Sequence, residues 1–189
     1  EDSQPPYYKD SALMWQLIMS IDGAKGTAKA AFGDDKPIRT TREYIREILF
    51  QSSELPRYLT WAFIGANLFK PSQTQLVEIE RTIREGDEQL DEYFRERLLV
   101  LPVYHTAAPP HGKVYSELFS IRKTFLRYIP FVAYANVWGL PALVLPVGED
   151  DSGLPIALQI MSGVGNEEAI FQLGELLEQH FRGYVRCQS

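Results

Sequence analysis

The sequence predicts an α/β fold, in which helices cover a sheet of about three buried strands, and three apolar runs support this prediction. Two of them, residues 142–146 and 156–161, each follow a Gly-Leu-Pro and flank an acidic turn that contains Gly153, a pattern typical of a β-hairpin. The third run, residues 98–103, contains Pro102. Because the runs alternate little with polar residues, we expect each strand to be buried on both faces.

Length and composition are typical of one ordered domain. The chain has 189 residues, of which 45% are hydrophobic, and this length allows most of the apolar surface to be buried. We expect a single α/β domain over residues 7–189. Residues 1–6 are polar and proline-rich, and we interpret them as a linker or a truncated start.

Charge and cysteine content argue against several classes of function. The net charge of −6 gives no electrostatic reason to bind nucleic acid, so no nucleic-acid partner is expected. A single cysteine, Cys187, permits no internal disulfide, and we therefore expect a cytoplasmic location. No signal-peptide pattern opens the sequence, and its longest uncharged apolar stretch is shorter than the roughly 20 residues that span a bilayer.

Helical patterns fill the first half of the chain. Residues 7–20 have apolar side chains near helical spacing, and residues 21–37 are predicted to form a loop or a broken helix. Thr40 and Glu43 then form a capping box, which predicts a short helix after them.

The segment that begins at Tyr58 and ends at Phe69 is apolar almost all round, which leaves two interpretations open. A helix of this kind is usually buried against its neighbours. Alternatively, it makes weak contact with a membrane surface or covers an apolar substrate channel, and the protein is then peripheral to a membrane.

Two further helices have recognisable starts. Ser72 and Gln75 form a second capping box before a long helix whose apolar seam includes Gly86. An interior glycine costs a helix about 1 kcal/mol, so its position on the seam indicates close approach by a neighbouring backbone. Asn166 is predicted to cap the last helix, and Gly183 to end it.

The central stretch resembles a known family pattern. Residues 135–142, Ala-Asn-Val-Trp-Gly-Leu-Pro-Ala, resemble the Ala-Asn-Leu-Thr-Gly-Leu-Pro-Ala of amidase-signature hydrolases. Residues 153–160, Gly-Leu-Pro-Ile-Ala-Leu-Gln-Ile, resemble their Gly-Leu-Pro-Val-Gly-Leu-Gln-Ile. Trp138 and Ala157 depart from the pattern, where a small polar residue and a glycine are usual. Residues 98–185 carry the resemblance, which is to the fatty-acid amide hydrolase and amidotransferase amidase-subunit type.

This resemblance implies the C-terminal part of the amidase-signature α/β/α fold, in a serine hydrolase that cleaves carboxamide C–N bonds. In that family a serine, activated through a second serine and a lysine, attacks the amide. The resemblance implies that the two serines lie in a Gly/Ser-rich run N-terminal to all the residues of this chain, and the sequence contains no such run. We therefore assign no catalytic residue and no cofactor to this chain, and predict that it is inactive alone.

The histidines add little chemistry. His105 and His111 lie six residues apart, but no third ligand follows at a recognisable spacing, so no metal site is predicted. No serine lies in a Gly-x-Ser-x-Gly turn that could complete a triad with His105 or His180.

The loop after residues 98–103 is the best remaining candidate for a site, because ligands gather beyond the carboxyl ends of parallel strands. Tyr104 and Thr106 in this loop, with Asn136 and Trp138 beside another strand end, are predicted to line the wall of an acyl or amide pocket. In the alternative interpretation Asn136 caps a turn, Trp138 fills the core and Thr106 satisfies backbone groups.

A three-stranded sheet has unpaired edges, and such edges invite partners. We expect the partner to be either the missing N-terminal catalytic part or a second copy in a homodimer through the exposed sheet edges, with an amide substrate in the full enzyme. The alternative function is a non-catalytic binding or regulatory module, or one half of a split two-chain amidase.

Overall fold

The computed structural model describes residues 4–23, 25–32, 40–53, 55, 57–113 and 122–181. Within these residues, no helix combines the length and the apolar character that crossing a membrane requires.

Two compact units make up the chain. One comprises Glu1–Ala12 together with Arg81–Ser189, and the other comprises Leu13–Glu80. The single domain expected over residues 7–189 stays a prediction.

Helices build the unit Leu13–Glu80. The described elements in order are α1 (Ser11–Met19), a 3₁₀ turn (Ile21–Gly23), α2 (Lys25–Phe32), α3 (Thr40–Phe50), α4 (Arg57–Leu68) and the start of α5 (Gln73–Phe94). They confirm the predicted helices, including the broken helix after α1 and the helix that follows the first capping box. α3 packs against α4.

The turn between α1 and α2 depends on a glycine. Asp22 and Gly23 both adopt left-handed backbone conformations, with φ of 54° and 67°. A Cβ on Gly23 would lie 2.5 Å from Lys70 Cε and would also overlap the side chain of Asn67. Only glycine therefore allows this turn to approach the end of α4.

Burial varies along α4. Phe63 is 4% exposed and Thr60 is fully buried, as the first interpretation of this segment requires. Leu68 and Phe69, at the end of the helix, are 74% and 64% exposed. Among the residues of this segment whose burial the structure describes, the exposed large apolar side chains are those of Leu68 and Phe69.

The second capping box forms as predicted at the start of α5. The Gln75 backbone N–H donates to Ser72 Oγ at 3.2 Å, and the Ser72 N–H donates to Gln75 Oε1 at 2.9 Å. Further along α5, Gly86, Leu90 and Phe94 are buried at spacings of four residues, which is one face of a helix.

The sheet lies in the other unit and has three described strands, β1 (Leu99–Pro102), β2 (Ala142–Glu149) and β3 (Pro155–Met161). Their order is β1-β3-β2, and both pairings are antiparallel. β1 and β2 therefore run in the same direction on either side of β3.

The predicted hairpin between β2 and β3 is confirmed. One carboxylate oxygen of Asp150 accepts hydrogen bonds from the backbone N–H groups of Ser152 and Leu154, both at 2.9 Å. Gly153 has a φ of 76°, a conformation that favours glycine. The acidic turn is thus held by its own first aspartate.

Burial on both faces is correct for the end of β3 and wrong for β1 and β2. Residues from Gln159 to Met161 are buried, whereas Val100 in β1 is 43% exposed and Val144 in β2 is 55% exposed. Val144 lies on an outer strand of the described sheet. Position in the sheet, which a single strand's sequence does not encode, explains the difference.

Helices cover the two faces of the sheet. α6 (Arg122–Tyr128) and α7 (Pro130–Trp138) precede β2, and α8 (Glu167–Glu178) follows β3. α8 packs on β2, where a Cβ on Gly174 would lie 2.6 Å from Leu143 Cδ2. α7 meets the opposite face through Gln159.

Of two predictions about the last helix, one is wrong and the other concerns a residue outside the described ranges. Asn166 precedes α8, but its side chain makes no capping hydrogen bond, because its backbone (φ −118°, ψ 38°) departs from the usual N-cap geometry. The predicted end at Gly183 lies outside the described residues.

Candidate functional site

The loop after β1 brings an aromatic cluster together with the junction of α6 and α7. The ring centroid of His105 lies 4.4 Å from that of Tyr104 and 3.7 Å from that of Tyr128. Phe131, at the start of α7, lies 6.2 Å from Tyr128. We call Tyr104, His105, Tyr128 and Phe131 the aromatic cluster, and it forms a largely apolar surface at the carboxyl end of β1.

Gln159 fixes this arrangement from within the sheet. Its side chain is 4% exposed, and its Nε2 donates to the Phe131 carbonyl of α7 and, at 3.4 Å, to the Pro102 carbonyl of β1. One amide thus joins the end of β1 to the beginning of α7, on either side of the aromatic cluster. A buried side-chain amide needs such partners, because burying it without them costs free energy.

Sequence reasoning did not assign this role to Gln159. The available signal was a polar residue inside the apolar run 156–161, which is otherwise free of hydrogen-bonding side chains. A polar side chain at a buried position predicts a specific partner, but the sequence does not name the partner.

The Thr106 hydroxyl forms a hydrogen bond with the backbone of its own loop. Its Oγ1 donates to the Ala107 carbonyl at 2.9 Å. This is the role that the alternative interpretation gave to Thr106. The side chain is exposed, so it also remains accessible beside Tyr104.

Asn136 and Trp138 lie at the other end of α7. Asn136 is exposed, whereas Trp138 is 6% exposed and packs against Gly86 of α5 and Tyr7, whose ring centroid is 5.5 Å away. The Trp138 Nε1–H is buried and finds no hydrogen-bond partner in the described part of the chain. These contacts place Trp138 in packed structure, as the alternative interpretation predicted.

The structure thus brings Tyr104 and Thr106 together and separates them from Asn136 and Trp138. From Phe131 to Trp138, α7 rises about 10 Å. The choice of this loop used a rule for parallel sheets, whereas both pairings in the described sheet are antiparallel. The loop follows β1, whereas Asn136 and Trp138 precede β2. Their joint role in a pocket wall stays a prediction.

The two histidines considered as metal ligands lie in and after the same loop. His105 belongs to the aromatic cluster, and His111 is exposed in the turn that follows. Among the described residues, no three histidine, cysteine, aspartate or glutamate side chains approach closely enough to share a metal ion.

Residues near the beginning of the chain pack against α7. The Tyr134 hydroxyl, fully buried, donates to the Pro6 carbonyl at 2.8 Å, and the Tyr8 ring lies 5.6 Å from the Tyr134 ring. Gln89 Nε2 donates to the Tyr7 hydroxyl at 3.0 Å. We call residues 4–8 the strap.

Burial controls the ionisation of Tyr8 and of Tyr134 beneath it. It raises the pKa of Tyr8 to about 12, because the phenolate would lose its solvation. It raises the pKa of Tyr134 further, with a smaller contribution from the charge of Tyr93. Both hydroxyls are therefore neutral at physiological pH.

Known proteins resemble the chain over most of its length. The amidase family matches residues 4–171. A glutamyl-tRNA(Gln) amidotransferase subunit of Nostoc punctiforme is 38% identical over 89 residues, which is 47% of this chain and 18% of that protein.

Solved structures resemble the fold. A chain from a vestigial protein complex, studied for the evolutionary origins of an s-triazine catabolic enzyme, superposes with a TM-score of 0.67 at 17% identity. The superposition covers 96% of this chain and 36% of that one. 6-Aminohexanoate cyclic dimer hydrolase gives a TM-score of 0.56 at 17% identity, over 95% of this chain and 37% of that one.

The chain spans little more than a third of these solved chains, and its match to the Nostoc protein covers a smaller share. The two Gly-Leu-Pro motifs that carry the sequence resemblance open β2 and β3, the two strands of the hairpin. Since the family match covers residues 4–171 of 189, the chain belongs to the amidase family.

Proposed function

We propose that this chain is the C-terminal part of an amidase-signature serine hydrolase that cleaves carboxamide C–N bonds. Its contribution is the core of the sheet and part of the wall of the substrate pocket. The observation that carries this proposal is the β2–β3 hairpin, in which the two family motifs open neighbouring strands and Gln159 of β3 donates a hydrogen bond to α7. Among the related proteins, one is named a hydrolase and another belongs to an amidotransferase.

We assign no catalytic residue to these 189 residues. Three buried serines support this part of the proposal, since each hydroxyl donates to a nearby backbone carbonyl. Ser11 donates to Tyr8 at 2.7 Å, Ser20 to Gln16 at 2.7 Å and Ser162 to Gly163 at 3.1 Å. A nucleophilic serine needs a side-chain base as its acceptor instead.

The proposed pocket wall consists of Tyr104, Thr106, Asn136 and Trp138. Tyr104 contributes through the aromatic cluster, which offers ring faces and edges to an acyl chain. The substrate is an amide, and the partner is either the upstream catalytic part of the fold or a second copy of this chain. The single cysteine is the support for a cytoplasmic location.

Anilide turnover by the purified chain tests the proposal. We expect release of p-nitroaniline from an acyl-p-nitroanilide at the rate of buffer alone, and no labelling by a fluorophosphonate that reacts with activated serines. Turnover that disappears in Ser162→Ala or Ser11→Ala would overturn the proposal, because it would place the nucleophile within this chain. If the chain hydrolysed the anilide and both variants kept that rate, the same alanine test on each remaining serine would identify the serine responsible.

The alternative proposal is a non-catalytic binding or regulatory module, or half of a split two-chain amidase. Its support is that the chain spans little more than a third of the related solved chains. Producing this chain together with the upstream part of the family fold on a separate polypeptide distinguishes the two. Recovery of amidase activity from two chains favours the split enzyme, whereas activity only from one continuous chain favours the first proposal.

A further inference from the structure

The unit Leu13–Glu80 interrupts the sequence of the unit that contains the sheet, and we call it the insertion. The chain leaves the sheet unit after Ala12 and returns to it at Arg81. The strap lies just before this exit, and the buried face of α5 that starts at Gly86 lies just after the return. Contacts between these two places therefore determine how firmly the base of the insertion is held.

The side chain of Tyr7 connects the exit of the chain to its return. Its ring centroid lies 5.5 Å from that of Trp138 at the end of α7, and its hydroxyl accepts a hydrogen bond of 3.0 Å from Gln89 Nε2 in α5. Gln89 follows Gly86 by three residues, so both lie on one side of α5, and Gly86 packs against the same Trp138 ring. We call Tyr7, Gln89 and Trp138 the clamp.

The backbone of Tyr7 is held in an unfavourable conformation. The Tyr8 N–H donates to the Pro5 carbonyl at 3.3 Å, which closes a four-residue turn with Pro6 in second place and Tyr7 in third place. Tyr7 has a φ of 55°. Proline in second place and a positive φ in third place are features of a type II turn, whose third position favours glycine. A bulky residue keeps such a conformation only where its surroundings compensate for the strain.

Hydrogen bonds within the same unit fix the turn on both sides. The Pro6 carbonyl accepts the hydrogen bond of the Tyr134 hydroxyl at 2.8 Å, which fastens the turn to α7. The Tyr7 carbonyl accepts hydrogen bonds from the backbone N–H groups of Asp10 and Ser11, each at 3.1 Å. These bonds hold the backbone from which the Tyr7 side chain projects. A glycine in its place would relieve the strain but would supply neither the ring nor the hydroxyl of the clamp.

We propose that the clamp closes the base of the insertion, so that the insertion can open locally without disturbing α7. Its three side chains join the exit of the chain, its return along α5 and the end of α7 within one unit. The strain at Tyr7 is kept because the side chain makes these connections. All of the contacts are formed by residues that the structure describes, and the proposal does not depend on the proposed amidase function.

Amide hydrogen exchange on a variant that loosens the insertion tests the proposal. Gly23→Ala does so, because a Cβ there would overlap Asn67 and Lys70 of the insertion itself and because the φ of Gly23 is 67°. We expect it to speed exchange of the α4 amides by about tenfold or more. The Trp138 amide should stay within about twofold of its wild-type rate. Gly26→Ala, where a Cβ meets nothing within 4 Å, is the matched control and should leave both rates unchanged.

Removal of the clamp should connect the two responses. In a Tyr7→Ala background, we expect Gly23→Ala to speed exchange of the Trp138 amide by about fivefold or more. If Gly23→Ala changes the Trp138 rate equally with and without the Tyr7 side chain, the proposal is overturned, whether that change is large or absent.

A glycine variant separates the strain from the clamp. Tyr7→Gly lacks the clamp, as Tyr7→Ala does, but forms the turn without strain. The Tyr8 amide, which closes the turn, should therefore exchange about 5- to 30-fold more slowly in Tyr7→Gly than in Tyr7→Ala. An equal or faster rate in Tyr7→Gly would remove the strained turn on which the proposal rests.

The wild-type protein gives a test that holds even if a Tyr7 variant does not fold. In urea concentrations below the main unfolding transition, the α4 amides should become exchangeable in a local opening that the Trp138 amide does not share. Opening of α4 and of the Trp138 amide in one common step would contradict the proposal.

Discussion

Gly86 lies directly against the indole ring of Trp138. A Cβ on Gly86 would be 2.5 Å from Trp138 Cζ3 and would overlap Cη2 as well. The missing side chain of Gly86 therefore leaves a gap on the surface of α5, which we call the notch. The Trp138 ring at the end of α7 fills it. Trp138 departs from the family pattern, and Gly86 provides the space that this larger side chain needs.

Substitution of Gly86 by alanine should destabilise the protein. We expect a loss of about 1–3 kcal/mol in the free energy of unfolding, because overpacking outweighs the gain in helix propensity. Urea denaturation measures it. Gly65→Ala in α4 is the control, since a Cβ there meets nothing within 4 Å and should stabilise by about 0.4–1 kcal/mol. In a Trp138→Thr background the cost of Gly86→Ala should shrink, and an unchanged cost would contradict the notch.

Removal of the Tyr134 hydroxyl should weaken the strap. Tyr134→Phe deletes the hydrogen bond to the Pro6 carbonyl, and we expect a cost of about 0.5–1.5 kcal/mol in unfolding free energy. Tyr8→Phe is the matched control, because the buried Tyr8 hydroxyl has no hydrogen-bond partner among the described residues. Its removal should be neutral or stabilising. Equal losses in both variants would speak against a specific role for the Tyr134 bond.

Stability should fall at alkaline pH. Burial raises the pKa of Tyr8 from 10.0 to about 12, and that of Tyr134 also rises, so the unfolded chain loses these protons first. The folded state then binds more protons than the unfolded state, and the unfolding free energy decreases as pH rises above about 10. Urea midpoints between pH 8 and pH 11.5 measure this. Tyr8→Phe should flatten the decline, and a steeper decline in that variant would contradict the assignment.

Loss of the Gln159 amide should loosen the loop after β1. Gln159→Met retains the length of the side chain but leaves the Phe131 and Pro102 carbonyls without this donor, and we expect a cost of about 1–3 kcal/mol. Amide exchange of Tyr104 and His105 should accelerate more than that of α8. Gln172→Met, on the exposed side of α8, is the control. Unchanged exchange in the loop would show that the amide does not position it.

Contact with lipid, if it occurs, should depend on the end of α4. Leu68 and Phe69 are exposed, whereas Phe63 is buried, so Phe63→Glu would damage the fold rather than report on a membrane. We expect Leu68→Glu combined with Phe69→Glu to abolish co-sedimentation with phosphatidylcholine vesicles and to leave the circular dichroism unchanged. Equal sedimentation of variant and wild type would exclude this surface as the membrane contact.

Local signals predicted the local structure well. The capping box of Ser72 and Gln75 has the predicted reciprocal hydrogen bonds, and the acidic turn joins two strands. Gly86 was expected to allow close approach by a neighbouring backbone, and the structure places a side chain there instead. The capping box and the turn each depend on residues that lie close together in sequence. Gly86 could be predicted to lie in a close contact because an interior glycine has a strong steric reason to be there.

Non-local pairing escaped prediction. The direction of β3 relative to β1 depends on contacts between residues almost 60 apart, and the apolar runs alone fit either direction. The same holds for Gln159, whose acceptors lie 28 and 57 residues away in sequence. The candidate pocket wall was predicted from adjacency to strand ends. Its members lie apart because the loop follows β1 whereas Asn136 and Trp138 precede β2, which runs in the same direction as β1.

The hydrogen bond between Tyr134 and Pro6 spans 128 residues of sequence. During synthesis at the ribosome, the strap emerges before α7, and the Pro6 carbonyl gains this donor only after α7 has been translated. At the usual elongation rates of about 5–20 residues per second, this interval lasts roughly 6 to 26 s. The helices of Leu13–Glu80 leave the exit tunnel during that interval, so they can fold before the ends of the other unit meet.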